Sequence, residues 1–156
     1  MEDKKYSVDE LDMKIIAELQ DDGRMSFRTV AEKLEVSDQT VRLRVTRMME
    51  HGFLRVSPLI NPFAFDNSLL ALIGMQLEKR TQKETMETIA SMRGVVSVYN
   101  TAGEFDLFVE VFHRSRSDLN KFLFEELPKV PGIKSTHSYI SLDARHKWIE
   151  VGNCDI

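Results

Sequence analysis

The apolar residues of this chain change period part-way along it, and that change restricts the fold more than any other feature. Up to residue 54 they recur every three or four positions, the spacing of amphipathic helices. From Leu69 onward, apolar and β-branched runs of strand length alternate with two helical segments. The 156 residues suffice for one good core or two small ones, and the change of period predicts two.

The first part predicts three helices. Ser7 to Asp22 carries one apolar face of Leu11, Ile15, Ile16 and Leu19, with Ser7-x-x-Glu10 as a capping box and Tyr6 with Leu11 as a hydrophobic staple. Asp22-Gly23 ends it. Ser26 then caps a short helix bearing Phe27, Val30, Ala31 and Leu34. Glu35-Val36 leaves room only for a turn. Ser37 caps a third helix in which Val41, Val45, Met48 and Met49 repeat every three to four residues, until Gly52 stops it. This is the pattern of a helix-turn-helix, whose second helix can lie in the DNA major groove. Phe53 and Leu54 are expected to start a strand, which makes the bundle a winged helix.

On the third helix, the face away from Val41 and Val45 carries Gln39, Thr40, Arg42, Leu43 and Arg47. Gln bonds adenine in a bidentate way, Thr meets a thymine methyl, and Arg takes guanine or a phosphate. Gln39, Thr40 and Arg42 are therefore the expected base contacts, and Arg28, Arg44 and Arg47 the expected phosphate contacts on double-stranded DNA. An ordinary helix pair with a solvated basic face gives the same local pattern, so the charge distribution matters. The whole chain is at −4, yet Arg24–Arg47 holds six basic residues against three acidic, while residues 1–23 hold three against eight.

Other classes of function find little support. No apolar run is long enough to span a membrane and the N-terminus is charged rather than signal-like, which predicts a cytoplasmic protein with no membrane partner. A lone cysteine, Cys154, neither closes an internal disulfide nor anchors a metal cluster. The four histidines are scattered, and no GxSxG, P-loop or HExxH occurs. We therefore expect no enzyme, no catalytic residue, no metal and no cofactor.

Pro58 and Pro62 mark a linker over residues 55–68, with the boundary near residue 60. The domains expected are 1–54 for DNA binding and 69–156 for regulation and assembly. In the second, Leu69–Leu77 reads as a buried strand. A helix follows from the capping box Thr81-x-x-Glu84 to Gly94, then a strand Val95–Thr101, a turn Ala102–Glu104 and a strand Phe105–Phe112. Ser115 or Ser117 caps a helix with Leu119, Phe122, Leu123 and Leu127; Pro128 and Pro131-Gly132 end it, and Ile133–Leu142 is the last strand. The order βαββαβ is ferredoxin-like, so the fold class is α+β. Helices cover only one face of such a sheet, and a second copy is the expected cover for the other. Trp148 and Ile149 suggest that the tail returns to pack.

With both parts in view, the chain resembles the Lrp/AsnC (feast/famine) regulators of bacteria and archaea over nearly its whole length. The first part matches at Leu11-Asp12, Ile15-Ile16, Leu19, Asp22-Gly23-Arg24, Ala31, Leu34, Ser37, Val41, Arg44-Val45, Met48, Gly52 and Leu54. The second matches at Gly94-Val95, Gly103-Glu104-Phe105-Asp106-Leu107, Pro131-Gly132-Ile133 and Thr136-His137-Ser138. The resemblance implies a transcription regulator built from homodimers, often four in an octameric ring. It also implies a small effector, commonly an amino acid, bound between regulatory domains of neighbouring dimers. Carried over, the effector site would be Gly103, Asp106, Thr136 and Ser138. Asp106 offers a carboxylate to an α-ammonium, while hydroxyls and turn amides suit an α-carboxylate. A turn of this composition also serves simply to close a hairpin. Ser138 stands where threonine is frequent and Phe105 where tyrosine is frequent; His137, between the two hydroxyl residues, should point to the other face.

Two other readings remain at this stage. One is a partner that co-assembles with related regulators and has no operator of its own, as the apolar strands 69–77 and 105–112 would allow. The other, more distant, is a tetrapyrrole decarboxylase, an activity found in a few proteins resembling the family; Arg93, His113, Arg114 and Arg116 are candidates for it by residue type only.

Overall fold

The computed structural model describes residues 6–78 and 83–150. The chain divides into two compact units between Ser57 and Pro58.

The first unit holds α1 (Glu10–Asp21), α2 (Phe27–Lys33) and α3 (Asp38–Glu50). Ile15, Val30, Ala31, Val41, Val45 and Met48 form its buried core, with Tyr6, Leu11, Phe27 and Leu34 packed around it. Ser26 and Ser37 cap α2 and α3, each accepting from the backbone N–H three residues on. The α2–α3 turn places the non-glycine residue Glu35 at φ 55°. Two details depart from the sequence expectation. The first helix begins at Glu10, not Ser7. Asp9 is its N-cap, in a reciprocal capping box with Asp12. No strand follows α3 either: residues 53–59 lie in no sheet, and Ile60 makes only an isolated bridge with Ile149, inside the second unit. Phe53 packs instead against Tyr6.

The second unit is a four-stranded antiparallel sheet in the order β2-β3-β1-β4. Its strands are β1 (Leu69–Leu77), β2 (Val95–Asn100), β3 (Leu107–His113) and β4 (Ile133–Ile140). Helix α4 (Lys83–Ala90) joins β1 to β2. Helix α5 (Arg116–Lys121), continued by a π turn and a short 3-10 turn to Lys129, joins β3 to β4. Ser115 caps α5. The capping box expected at Thr81 falls outside the described residues, as does Cys154.

The two-residue period of the strands sorts the side chains. Ala71, Ile73 and Met75 of β1, with Val109 and Val111 of β3, pack against Ile89, Leu119, Phe122 and Leu127 of the helical layer. On the opposite face Leu70 and Phe112 meet Ile60 and Phe65 from the segment before β1, and Ile149 from the tail. The returning tail is thus anchored by Ile149, while Trp148 is exposed. Farther along that face the Phe105 ring lies over Gly74, while Leu72, Tyr99 and Tyr139 are exposed.

Candidate functional site

Helix α3 buries one stripe and presents the other. Val41, Val45 and Met48 point into the core, so Gln39, Leu43, Thr46 and Glu50, at helical spacing, form the outermost line. Gln39 and Arg47 are exposed and have no side-chain partner among the described residues. Thr40 is half-buried, its hydroxyl 2.8 Å from that of Ser37. Arg42 lies 3.5 Å from Asp38 and stacks 5.5 Å from the centre of the Phe27 ring. Arg28 on α2 is exposed and pairs with Glu32 one turn on at 3.0 Å. Thr46 was not singled out in the sequence. Its spacing of seven from Gln39 was the signal that could have found it.

Arg44 is placed differently. Its guanidinium turns back to α1 and meets the carboxylates of Asp9 and Asp12, the latter at 3.2 Å. Asp12 is fully buried and also accepts from the Tyr6 hydroxyl at 3.0 Å and the Asp9 backbone N–H at 3.2 Å. Hydrogen bonding to Arg44 holds the Asp9 carboxyl below the usual carboxylate range. Burial, reinforced by the Asp12 carboxylate, pushes the Tyr6 phenol up. Arg44 therefore ties α3 to the start of α1.

In the second unit, the turn between β2 and β3 is fastened to the end of β1. The Asp106 carboxylate accepts from Leu77 N–H at 2.8 Å, its own N–H donates to the Met75 carbonyl at 2.8 Å, and its carbonyl accepts from Thr101 N–H at 2.9 Å. Asp106 is buried, whereas Gly103 is exposed at the turn. Thr136 and Ser138 are exposed on edge strand β4, opposite Met75 and Ile73, and so share one side of the sheet. His137 sits opposite Gly74 on the other side, its ring 5.1 Å from that of Phe105. Phe105 occupies the space over Gly74, where an added Cβ would lie 2.8 Å from the ring. The structure thus brings Asp106 and Thr136 to the two flanks of one β1 residue, Met75.

Of the four residues noted by type for the distant catalytic reading, Arg93, His113 and Arg114 line one cavity, and Arg116 is not among its lining. No group of three or more metal-ligating side chains occurs among the described residues. No helix among them is long and apolar enough to cross a membrane.

Comparison with known proteins places both units. Residues 8–49 match the AsnC-type helix-turn-helix domain, and residues 70–147 match the Lrp/AsnC ligand binding domain. The chain belongs to the Lrp/AsnC family. An uncharacterised HTH-type transcriptional regulator of Pyrococcus furiosus is 37% identical over 142 residues, covering 90% of this chain and 95% of that protein. Among solved structures, AsnC of E. coli superposes with a TM-score of 0.72 at 25% identity, covering 89% of this chain and 95% of that one. A regulator from Neisseria meningitidis, solved as a complex with L-Met, shares the fold with a TM-score of 0.70 at 22% identity, over 88% of this chain and 91% of its own. This Lrp/AsnC chain is accordingly a transcriptional regulator with a DNA-binding helix-turn-helix unit and a ligand-binding unit, and its relatives are regulators too.

Proposed function

We propose that this Lrp/AsnC chain is a cytoplasmic, sequence-specific regulator that binds double-stranded DNA as a homodimer or an octamer of four dimers, under control of an amino acid or a related small molecule. The exposed face of α3 carries the reading. Gln39, Thr40 and Arg42 contact bases, while Arg28 and Arg47 contact phosphates. Arg44, engaged by Asp9 and Asp12, positions α3 from behind. A dimer sets two such helices in successive major grooves, about 34 Å apart. The exposed Leu72, Tyr99 and Tyr139 on the side of the sheet away from the helices support self-association through that patch.

The effector is held at Gly103, Thr136 and Ser138, with turn amides and hydroxyls meeting its carboxylate. Asp106, whose carboxylate fastens the turn to Leu77, is the group assigned to the ammonium. The L-Met complex of the Neisseria regulator supports an amino acid as the class.

Fluorescence anisotropy on the region upstream of the protein's own gene, with and without the twenty amino acids, tests both halves. Salt-sensitive binding that shifts with the pool is expected, with the shift lost in Thr136→Ala and Asp106→Ala. Binding that ignores the pool removes the sensor. No preference over random DNA, here and in a selection from random sequence, removes the sequence-specific regulator.

A further inference from the structure

We propose that Leu43 reads the 5-methyl group of a thymine in the operator, which makes it a specificity-determining residue of α3 alongside the polar side chains. The proposal rests on the reading of α3 as the helix that enters the major groove, and it names one base that this helix selects.

The core fixes where Leu43 points. At 3.6 residues per turn it faces almost directly away from Val41, Val45 and Met48, all of which are buried. It lies in the N-terminal half of α3, the part of a recognition helix that reaches base edges. Its side chain is 48% exposed, and it is not among those that close the core from outside, such as Phe27, Leu34 and Leu54. Neither burial nor helix propensity calls for leucine there, since alanine or a charged residue serves an outward helical position as well.

A single exposed leucine is common on protein surfaces, and it is the company of Leu43 that gives it meaning. Its neighbours one turn away are Gln39, Thr40, Thr46 and Arg47, with Arg42 beside it, and every one is polar. Met49, the other exposed apolar residue of α3, is six positions on and turned about 120° away. Leu43 is therefore an apolar spot one side chain wide, set in a hydrogen-bonding surface. Protein-docking patches are broader than this. The floor of the major groove has the matching pattern: donors and acceptors on every base pair, and one apolar group, the thymine methyl.

Leucine and methyl remove each other from water when they meet. A cytosine in place of the thymine lacks the methyl and sets an N4–H donor against an apolar surface, where it finds no acceptor. Gln39 and Leu43 are one turn apart, about 6 Å along the helix axis, against about 3.4 Å per base-pair step. The thymine therefore falls within about two base pairs of the adenine that Gln39 selects.

The test removes the methyl from the DNA and the leucine from the protein. Operators are selected from random duplexes by the unaltered full-length protein, and each thymine of the enriched site is replaced singly by deoxyuridine, which loses only the 5-methyl. Affinities of the unaltered protein and of Leu43→Ala are then read by fluorescence anisotropy. For the unaltered protein, one thymine per half-site should show a loss of about fourfold, the worth of one buried methyl-sized group. In Leu43→Ala the same exchange should cost less than about 1.5-fold, while the other thymines respond equally in both proteins. Leu43 meets no phosphate and stands outside the core, so the variant should keep the salt slope and the melting temperature of the unaltered protein. An enriched site at which no thymine changes its methyl dependence in Leu43→Ala would overturn the proposal and leave the regulator standing. The absence of any enriched site would remove both.

Discussion

Replacing Arg44 by methionine keeps much of the length and apolar character of the side chain but strips the guanidinium from Asp9 and Asp12. Asp12 is fully buried, so it is left as an uncompensated charge inside the first unit. Breaking a buried pair in this way costs about 3–5 kcal/mol. The Arg44 side chain is 29% exposed, so water reaches the gap and Tyr6 still donates to Asp12; about 2–3 kcal/mol is the better figure. That lowers amide protection across α1 and α3 roughly 30- to 150-fold in hydrogen exchange read by mass spectrometry, with the second unit unchanged. Adding Asp12→Leu removes the stranded charge and should recover much of the loss, although Tyr6 and the Asp9 N–H lose an acceptor. Because Arg44 does not face outward, the salt dependence of DNA binding should keep its slope in Arg44→Met, whereas Arg47→Ala should flatten it by about one unit. Full protection in Arg44→Met, with a flattened salt slope, would refute this account of Arg44 and return it to the phosphate contacts.

Gly94→Ala combines a left-handed backbone, about 1–2 kcal/mol, with a Cβ driven into the His113 ring, about 1–3 kcal/mol; denaturant unfolding should show the second unit weakened by about 2–5 kcal/mol. Stability of that unit should also fall with acid. The folded His113 pKa lies below 6.5, so the unfolded chain binds the extra proton; the contribution is complete above about 6.5 and lost as pH falls through the folded value. Melting temperature against pH should show this decline, less steeply in His113→Gln. Leu72→Asp combined with Tyr99→Asp should leave a folded monomer in analytical ultracentrifugation, where the unaltered chain sediments as a dimer or larger.

The parts that could be read from the sequence were those set by local rules. Ser26 and Ser37 cap their helices because a hydroxyl three residues before a free N–H meets it whatever the rest of the chain does. The first helix began later than expected because two capping boxes overlap, Ser7-x-x-Glu10 and Asp9-x-x-Asp12. Arg44, 32 residues beyond Asp12, favours the second, and no local pattern reveals that pairing. Phe53 and Leu54 have strand-like character but no strand to pair with among the described residues of the first unit. The third strand starts at Leu107 rather than Phe105, because Phe105 is drawn over Gly74 and the Asp106 carboxylate accepts from Leu77 N–H. The cavity was the least legible feature. Arg93 lies between α4 and β2, His113 ends β3 and Lys121 ends α5, and only the ferredoxin-like topology brings them together.

The central claim is that the exposed face of α3 reads DNA sequence. Selection of duplexes from a random pool, by the unaltered protein and by Gln39→Ala and Arg42→Ala, tests it most directly. The account predicts a two-fold symmetric motif with half-sites about one helical turn apart, and relaxed preference in each variant at its own base positions, worth about 1–3 kcal/mol. An enriched motif that is identical in all three proteins, or no enrichment by the unaltered protein, would contradict it.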